Sequence, residues 1–120
     1  MSNYPKAIGP YAVYRKANGL LFISGQLPIN PSSGEIESSD IKEQTKQSLK
    51  NIGEILKENN LSYKDVIKTT CFLADISDFI AFNEVYAEFF QAPYPARSAF
   101  AVKDLPKGAK VEIEVIAHKG

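Results

Sequence analysis

The sequence predicts an α+β domain, a mixed sheet with two helices packed on one face. Residues 41–59 carry apolar and small side chains at three- and four-residue steps, which makes one helical stripe. Val111–His118 alternates at strand period. Between and before them the segments run strand, strand, helix, strand, helix, strand, strand, and both helices need a sheet face for their stripes. A chain of 120 residues is the length of one domain, 1–120, with enough interior for a core without staples.

Each element has a local reason. Residues 11–16 and Leu20–Gln26 read as a strand pair, because Asn18-Gly19 tolerates the positive φ of a tight hairpin. Residues 28–34, with Pro28, Pro31 and Gly34, read as a loop. Ser39 or Asp40 can cap the first helix, with Glu43 placed for a capping box. Its inward stripe is Ile41, Thr45, Ser48, Leu49, Ile52, Ile55 and Leu56, and Lys42, Lys46, Lys50, Glu54 and Glu58 stay outward. Residues 65–73 are rich in strand formers such as Val66, Thr69 and Phe72. A second helix over 78–90 aligns Phe79, Phe82, Tyr86, Phe89 and Phe90, with Ser77 or Asp78 as cap and Pro93 and Pro95 beyond its end.

The last two strands are 96–102 and Val111–His118, joined by a loop with Pro106 and Gly108. In the final strand Val111, Ile113, Val115 and Ala117 should meet the helices. Glu112, Glu114, Ile116 and His118 then form a face half charged and half apolar, which points to a subunit interface or a wet cleft.

Composition narrows the chemistry. Lys plus Arg and Asp plus Glu are each 14, so no basic excess argues for nucleic acid. The one cysteine, Cys71, allows no disulfide within the chain, and the one histidine, His118, allows no histidine-rich metal site. No apolar run approaches the ~20 residues of a membrane helix, and residues 1–6 lack a signal-peptide core. A soluble cytoplasmic protein is the expectation.

The candidate residues are few. Of two arginines, Arg15 and Arg97, the second sits in Pro95-Ala96-Arg97-Ser98 at a strand entry, where a guanidinium could hold a small carboxylate. Pattern alone favours a structural ion pair or a rim residue there. Glu112 and Glu114 could do acid–base work, although glutamates two apart on a strand are more often one solvated face. The sequence does not set the register between the last two strands, so it does not show whether Arg97 approaches Glu112. Tyr11 follows a Gly9-Pro10 turn, and Ser24-Gly25 puts a hydroxyl beside backbone that a ligand could approach, or that simply bulges. Asn83 lies among Phe79, Phe82 and Tyr86, where it could anchor a ligand or a loop. Cys71 has no activating base and reads as a buried thiol. His118 reads as a surface residue, and Lys68 and Lys103 as solvated side chains.

Read together, AIGPY (7–11), FISGQLPINPSSGEI (22–36), QTKQSLKNI (44–52), VIKTTCFLADISDF (66–79), FNEVYAEFF (82–90), PYPARSAF (93–100) and LPKGAKVEIEVIA (105–117) resemble the reactive-intermediate deaminase family, specifically the RidA-type imine deaminases. The resemblance implies a chorismate-mutase-like fold and a homotrimer with ligand clefts between subunits. It implies hydrolysis of 2-imino acids, such as 2-iminopropanoate and 2-iminobutanoate, to 2-oxo acids and ammonium, without a metal or organic cofactor and without a membrane. By the same resemblance Arg97 is the carboxylate clamp and Glu112 the water-handling acid–base group. Tyr11, Ser24, Gly25, Asn83 and the main chain at Ala99 shape the pocket. Many relatives carry Cys where this chain has Ala99, so chemistry or regulation through that thiol is not expected here. Two other readings stay open. One is a binding-only regulatory module that uses Arg97 and dispenses with Glu112. The other, against the neutral charge, is an endoribonuclease or translation inhibitor.

Overall fold

A computed structural model describes residues 3–119. Met1 and Ser2, the start of the segment read above for a signal-peptide core, and Gly120 lie outside the described residues. Asn18 (φ 51°) and Gly19 (φ 79°) close the first hairpin, with Ala17 opposite Leu20. Strand β1 is Tyr14–Ala17 and β2 is Leu20–Gln26. β1 begins later than expected, because Tyr11 N–H turns back onto Gly9 O at 2.9 Å and leaves the ladder.

Helix α1 is Ile41–Glu58. Asp40 is its cap, accepting from Glu43 N–H at 3.0 Å. The other half of the expected capping box is replaced: Asp40 N–H donates to Ser38 Oγ at 3.0 Å. All seven residues of the inward stripe are buried. Fully burying an aliphatic side chain such as Leu49, Ile52, Ile55 or Leu56 is worth about 1.5–3 kcal/mol. Two amides on the same face are buried as well. Asn51 donates to Leu27 O (3.2 Å) and Ile29 O (3.0 Å). Gln44 donates to Ser38 O and accepts from Lys110 N–H, both at 2.8 Å. They tie the 27–40 loop and the entry to the last strand onto the helix.

Strand β3 is Val66–Leu73, α2 is Phe79–Phe89, β4 is Ala96–Ala101 and β5 is Val111–His118. The expected cap of α2 is displaced. Asp75 accepts from Ser77 N–H (2.9 Å) and Ser77 Oγ (2.8 Å), capping a short 3-10 turn, Ile76–Asp78, that feeds the helix. Asp78 makes no side-chain cap bond, since its backbone is already near-helical (φ −84°, ψ 0°) and a capping side chain needs extended backbone. Phe82, Val85 and Tyr86 are buried on this helix, and Phe90 is buried just past its end.

The sheet order is β1-β2-β5-β3-β4. β5 runs antiparallel to both β2 and β3, and β4 is parallel to β3. Parallel neighbours require a crossover, which α2 supplies between β3 and β4. β4 and β5 therefore share no register, although they are consecutive in the chain, because β3 lies between them.

As expected, both helices lie on one face. Val111, Ile113, Val115 and Ala117 join the α1 and α2 residues in one core. The other face carries Glu112, Glu114, Lys68 and a set of apolar side chains. Phe22 and Phe100 there are 41% and 45% exposed, and Phe100 meets Phe72 edge-on at 5.4 Å. No helix is long and apolar enough to cross a membrane.

Candidate active site

The predicted residues fall into two groups. The first surrounds Arg97 on the edge strand β4. Arg97 pairs with Thr69 of β3 and so points to the helix side of the sheet. Asn83 of α2 meets it there, with Arg97 Nη1 donating to Asn83 Oδ1 at 2.7 Å. The guanidinium carbon lies 4.8 Å from the Tyr86 ring centre and 5.4 Å from that of Phe79. Phe79, Asn83 and Tyr86 share one helix face because they are four and three residues apart. Asn83, Tyr86, Ala87, Tyr94, Pro95 and Arg97 line an open groove of about 350 Å³. Ala99, two residues along β4, points the same way and packs half-buried against the core.

Of the two plainer readings of Arg97, the ion pair is absent among the described residues and the rim position fits its exposed place on the edge strand; its partners are an amide and two rings. One N–H edge is used by Asn83, and the remaining donors can receive an anion in a fixed plane.

The second group surrounds Glu112 on the opposite face. The β2–β5 register slips between Ile23 and Gln26, so Ser24 and Gly25 form a bulge opposite one residue of β5. Gly25 lies against the Glu112 carboxylate. A Cβ at Gly25 would stand 2.5 Å from Glu112 Oε2 and 2.9 Å from its carboxyl carbon. Gly25 thus marks the bulge, and the group that comes close to it within the chain is the Glu112 carboxylate. Burial, and secondarily the Glu114 charge, holds the Glu112 carboxyl above the ordinary glutamate range.

Ser24 Oγ donates to Ala12 O at 2.6 Å, and Ser24 N–H to Val13 O at 2.9 Å. The serine therefore holds the segment that presents Tyr11. Tyr11 is 48% exposed, its hydroxyl accepts weakly from Ile8 N–H (3.4 Å), and it lines a shallow depression with Gly25.

One chain does not bring the groups together. Glu112 pairs with Phe72 and Arg97 with Thr69, on opposite faces of the sheet. A separate cavity of about 390 Å³, lined by Pro5, Lys6, Ile29 and Lys107 among others, contains none of the predicted site residues.

Of the residues read as lying outside the site, Cys71, His118 and Lys103 are placed as expected, and Lys68 is less solvated than expected. Cys71 is fully buried and its thiol is pushed up to about 11, chiefly by burial. His118 and Lys103 are exposed. Lys68 is half-buried and donates to Ser98 Oγ at 3.0 Å. Among the described residues no group of three or more His, Cys, Asp or Glu side chains could hold a metal ion. By residue type alone Tyr86 and Phe79 belong to the apolar stripe of the second helix. Their spacing from Asn83 was the available signal that they share its face.

A family model described as Endoribonuclease L-PSP matches residues 1–119. A Lactococcus lactis protein named as a candidate regulator, AldR, is 54% identical over 95% of this chain and 90% of its own length. The human 2-iminobutanoate/2-iminopropanoate deaminase is 47% identical over 97% of this chain and 85% of its own. The crystal structure of E. coli TdcF with bound serine superposes with a TM-score of 0.93 at 44% identity, covering 98% of this chain and 93% of that one. Matched nearly end to end in both sequence and backbone, the chain belongs to the Endoribonuclease L-PSP family, that of the RidA-type reactive-intermediate deaminases.

Proposed function

We propose that the protein hydrolyses small 2-imino acids to 2-oxo acids and ammonium in the cytoplasm, as a homotrimer of single-domain chains. The observation that carries the reading is the pair of half-sites. One is a guanidinium held planar on the helix face, and the other is a carboxylate of raised pKa on the open face. Each has a function only if a second copy supplies its complement. The exposed Phe22 and Phe100, on the face that carries Glu112, supply apolar area for that contact. Relatives named as imine deaminases support the substrate class. A relative solved with bound serine supports a small α-carboxylate ligand.

The chemistry follows from the residue types. Arg97, with main-chain N–H groups near Gly25 and Ala99, holds the substrate carboxylate. Tyr11 and Asn83 line the pocket. Ser24 keeps the Tyr11 segment in place. Glu112, as carboxylate, takes a proton from water while the water oxygen bonds to the imine carbon. The proton passes to the nitrogen, the C–N bond breaks with its electron pair leaving on nitrogen, and the carbinol O–H gives its proton to the Glu112 carboxylate as the oxygen becomes the 2-oxo group. Ammonia leaves and is protonated by solvent. Positioning plus one acid–base group, the latter worth about 10²–10⁴-fold, carries the step.

The test couples purified protein to a threonine dehydratase and traps free imine with semicarbazide. Faster imine loss supports the proposal, and an unchanged rate contradicts it. A relative named as a candidate regulator keeps a binding-only reading in view. In that reading small-acid binding survives in wild type and in Glu112→Ala, and neither protein is active.

A further inference from the structure

Arg97 owes its place to more than Asn83. The Tyr86 ring is 6% exposed and lies beneath the guanidinium at 4.8 Å. Its hydroxyl is hydrogen-bonded to Thr69 Oγ1 at 2.9 Å, and Thr69 is the residue that pairs with Arg97 across β3 and β4. The ring is also braced by Phe82 at 5.7 Å and Phe90 at 4.6 Å. One side chain thus joins the helix, the core and the strand row that carries Arg97. A cation over an aromatic face is attracted by the ring quadrupole, modestly at an exposed side chain such as Arg97. A guanidinium so held loses little freedom when it receives a carboxylate.

We propose that Tyr86 is the positioning residue for Arg97, its ring fixing the guanidinium plane in which a substrate carboxylate is received. This rests on the reading of Arg97 as the carboxylate clamp. Tyr86 itself acts through Arg97 and need not touch the substrate.

The chain has two arginines, so the side-chain Nε–H signals of Arg15 and Arg97 are readily separated in ¹⁵N-labelled protein. Tyr86→Phe keeps the ring, and Tyr86→Leu removes it. In ligand-free wild type the Arg97 signal should stand upfield of Arg15 through ring currents. It should persist in Tyr86→Phe and move most of the way toward the Arg15 position in Tyr86→Leu, the Phe79 ring at 5.4 Å keeping a smaller shift. Titration with 2-oxobutanoate should then give about fivefold weaker binding for Tyr86→Leu and a change within about twofold for Tyr86→Phe. In imine hydrolysis KM should rise more than kcat falls.

On an Arg97→Ala background Tyr86→Leu should cost almost nothing further, because the two effects act through one group. A folded Tyr86→Leu protein with wild-type Arg97 signal and wild-type affinity overturns the proposal. If that variant does not fold, the wild-type spectrum decides, and an Arg97 signal coincident with Arg15 overturns it. A wild type with the shifted signal that neither binds 2-oxobutanoate nor hydrolyses imine leaves the positioning intact and contradicts the functional reading.

Discussion

Arg97 and Glu112 point to opposite faces of the same sheet, with β3 between their strands. Arg97 is opposite buried Thr69, and Glu112 alternates with buried Val111 and Ile113. No side-chain rotation brings two groups through a packed sheet. A site that uses both has to be assembled from two chains, and this constraint orders the predictions.

Arg97→Ala should lower kcat/KM for imine hydrolysis by about 10- to 100-fold, the scale of hydrogen bonds to a charged group. Arg97→Lys should recover little, because an ammonium offers neither the fork nor the flat surface that rests on Tyr86. Steady-state kinetics checks both variants, and a fully active Arg97→Ala removes the clamp role.

Gly25→Ala separates activity from stability. The added methyl meets the flexible Glu112 side chain, from Oε2 back to Cγ at 3.1 Å, rather than backbone. The carboxylate can swing away, so the fold should lose no more than about 1 kcal/mol. Displacing the acid–base group should still cost kcat about tenfold or more. Thermal melts and kcat on the same preparation check this pair of outcomes.

Glu112 works as a base only when ionised, and its pKa is raised by burial first and Glu114 second. Activity should fall as pH drops through that raised pKa. Glu114→Gln removes the second cause and should move the acid limb of kcat/KM to lower pH. The stability sign is the reverse of the usual carboxylate case. The native state binds the Glu112 proton more tightly than the unfolded chain. This group's contribution is therefore most favourable below the unfolded pKa and is lost as pH rises through the folded one. Denaturation midpoints across that window should show the loss diminished in Glu114→Gln.

Cys71 should be chemically silent. Its thiol is fully buried and pushed up to about 11, so little thiolate exists at neutral pH. A thiol reagent should label native protein only at the rate of unfolding, and Cys71→Ala should keep its kcat. Rapid labelling of folded protein would contradict the placement.

How much of this was legible in the sequence depended on the range of the cause. The α1 stripe, the Asn18-Gly19 hairpin and the inward set of β5 follow from spacing and local backbone preference, and all stand as read. The α2 cap did not. Asp75 forms it through a 3-10 turn that propensity does not mark. Strand order was illegible for a physical reason. Whether β5 inserts between β2 and β3 is decided by pairing across the whole chain, so consecutive β4 and β5 gave no warning that they are separated. Arg97, Glu112 and Asn83 were visible as residue types. That Arg97 rests on Tyr86, and that it and Glu112 face apart, needed the register.

The most direct test of an active site shared between copies is subunit complementation. Arg97→Ala and Glu112→Ala proteins, each strongly impaired alone, are mixed, dissociated in mild denaturant and allowed to reassemble. If each site takes its arginine and its glutamate from different copies, random reassembly of a symmetric oligomer makes about one quarter of the sites intact, and about that fraction of wild-type imine hydrolysis should return. Activity that stays at the level of the separate variants after confirmed subunit exchange would contradict the account.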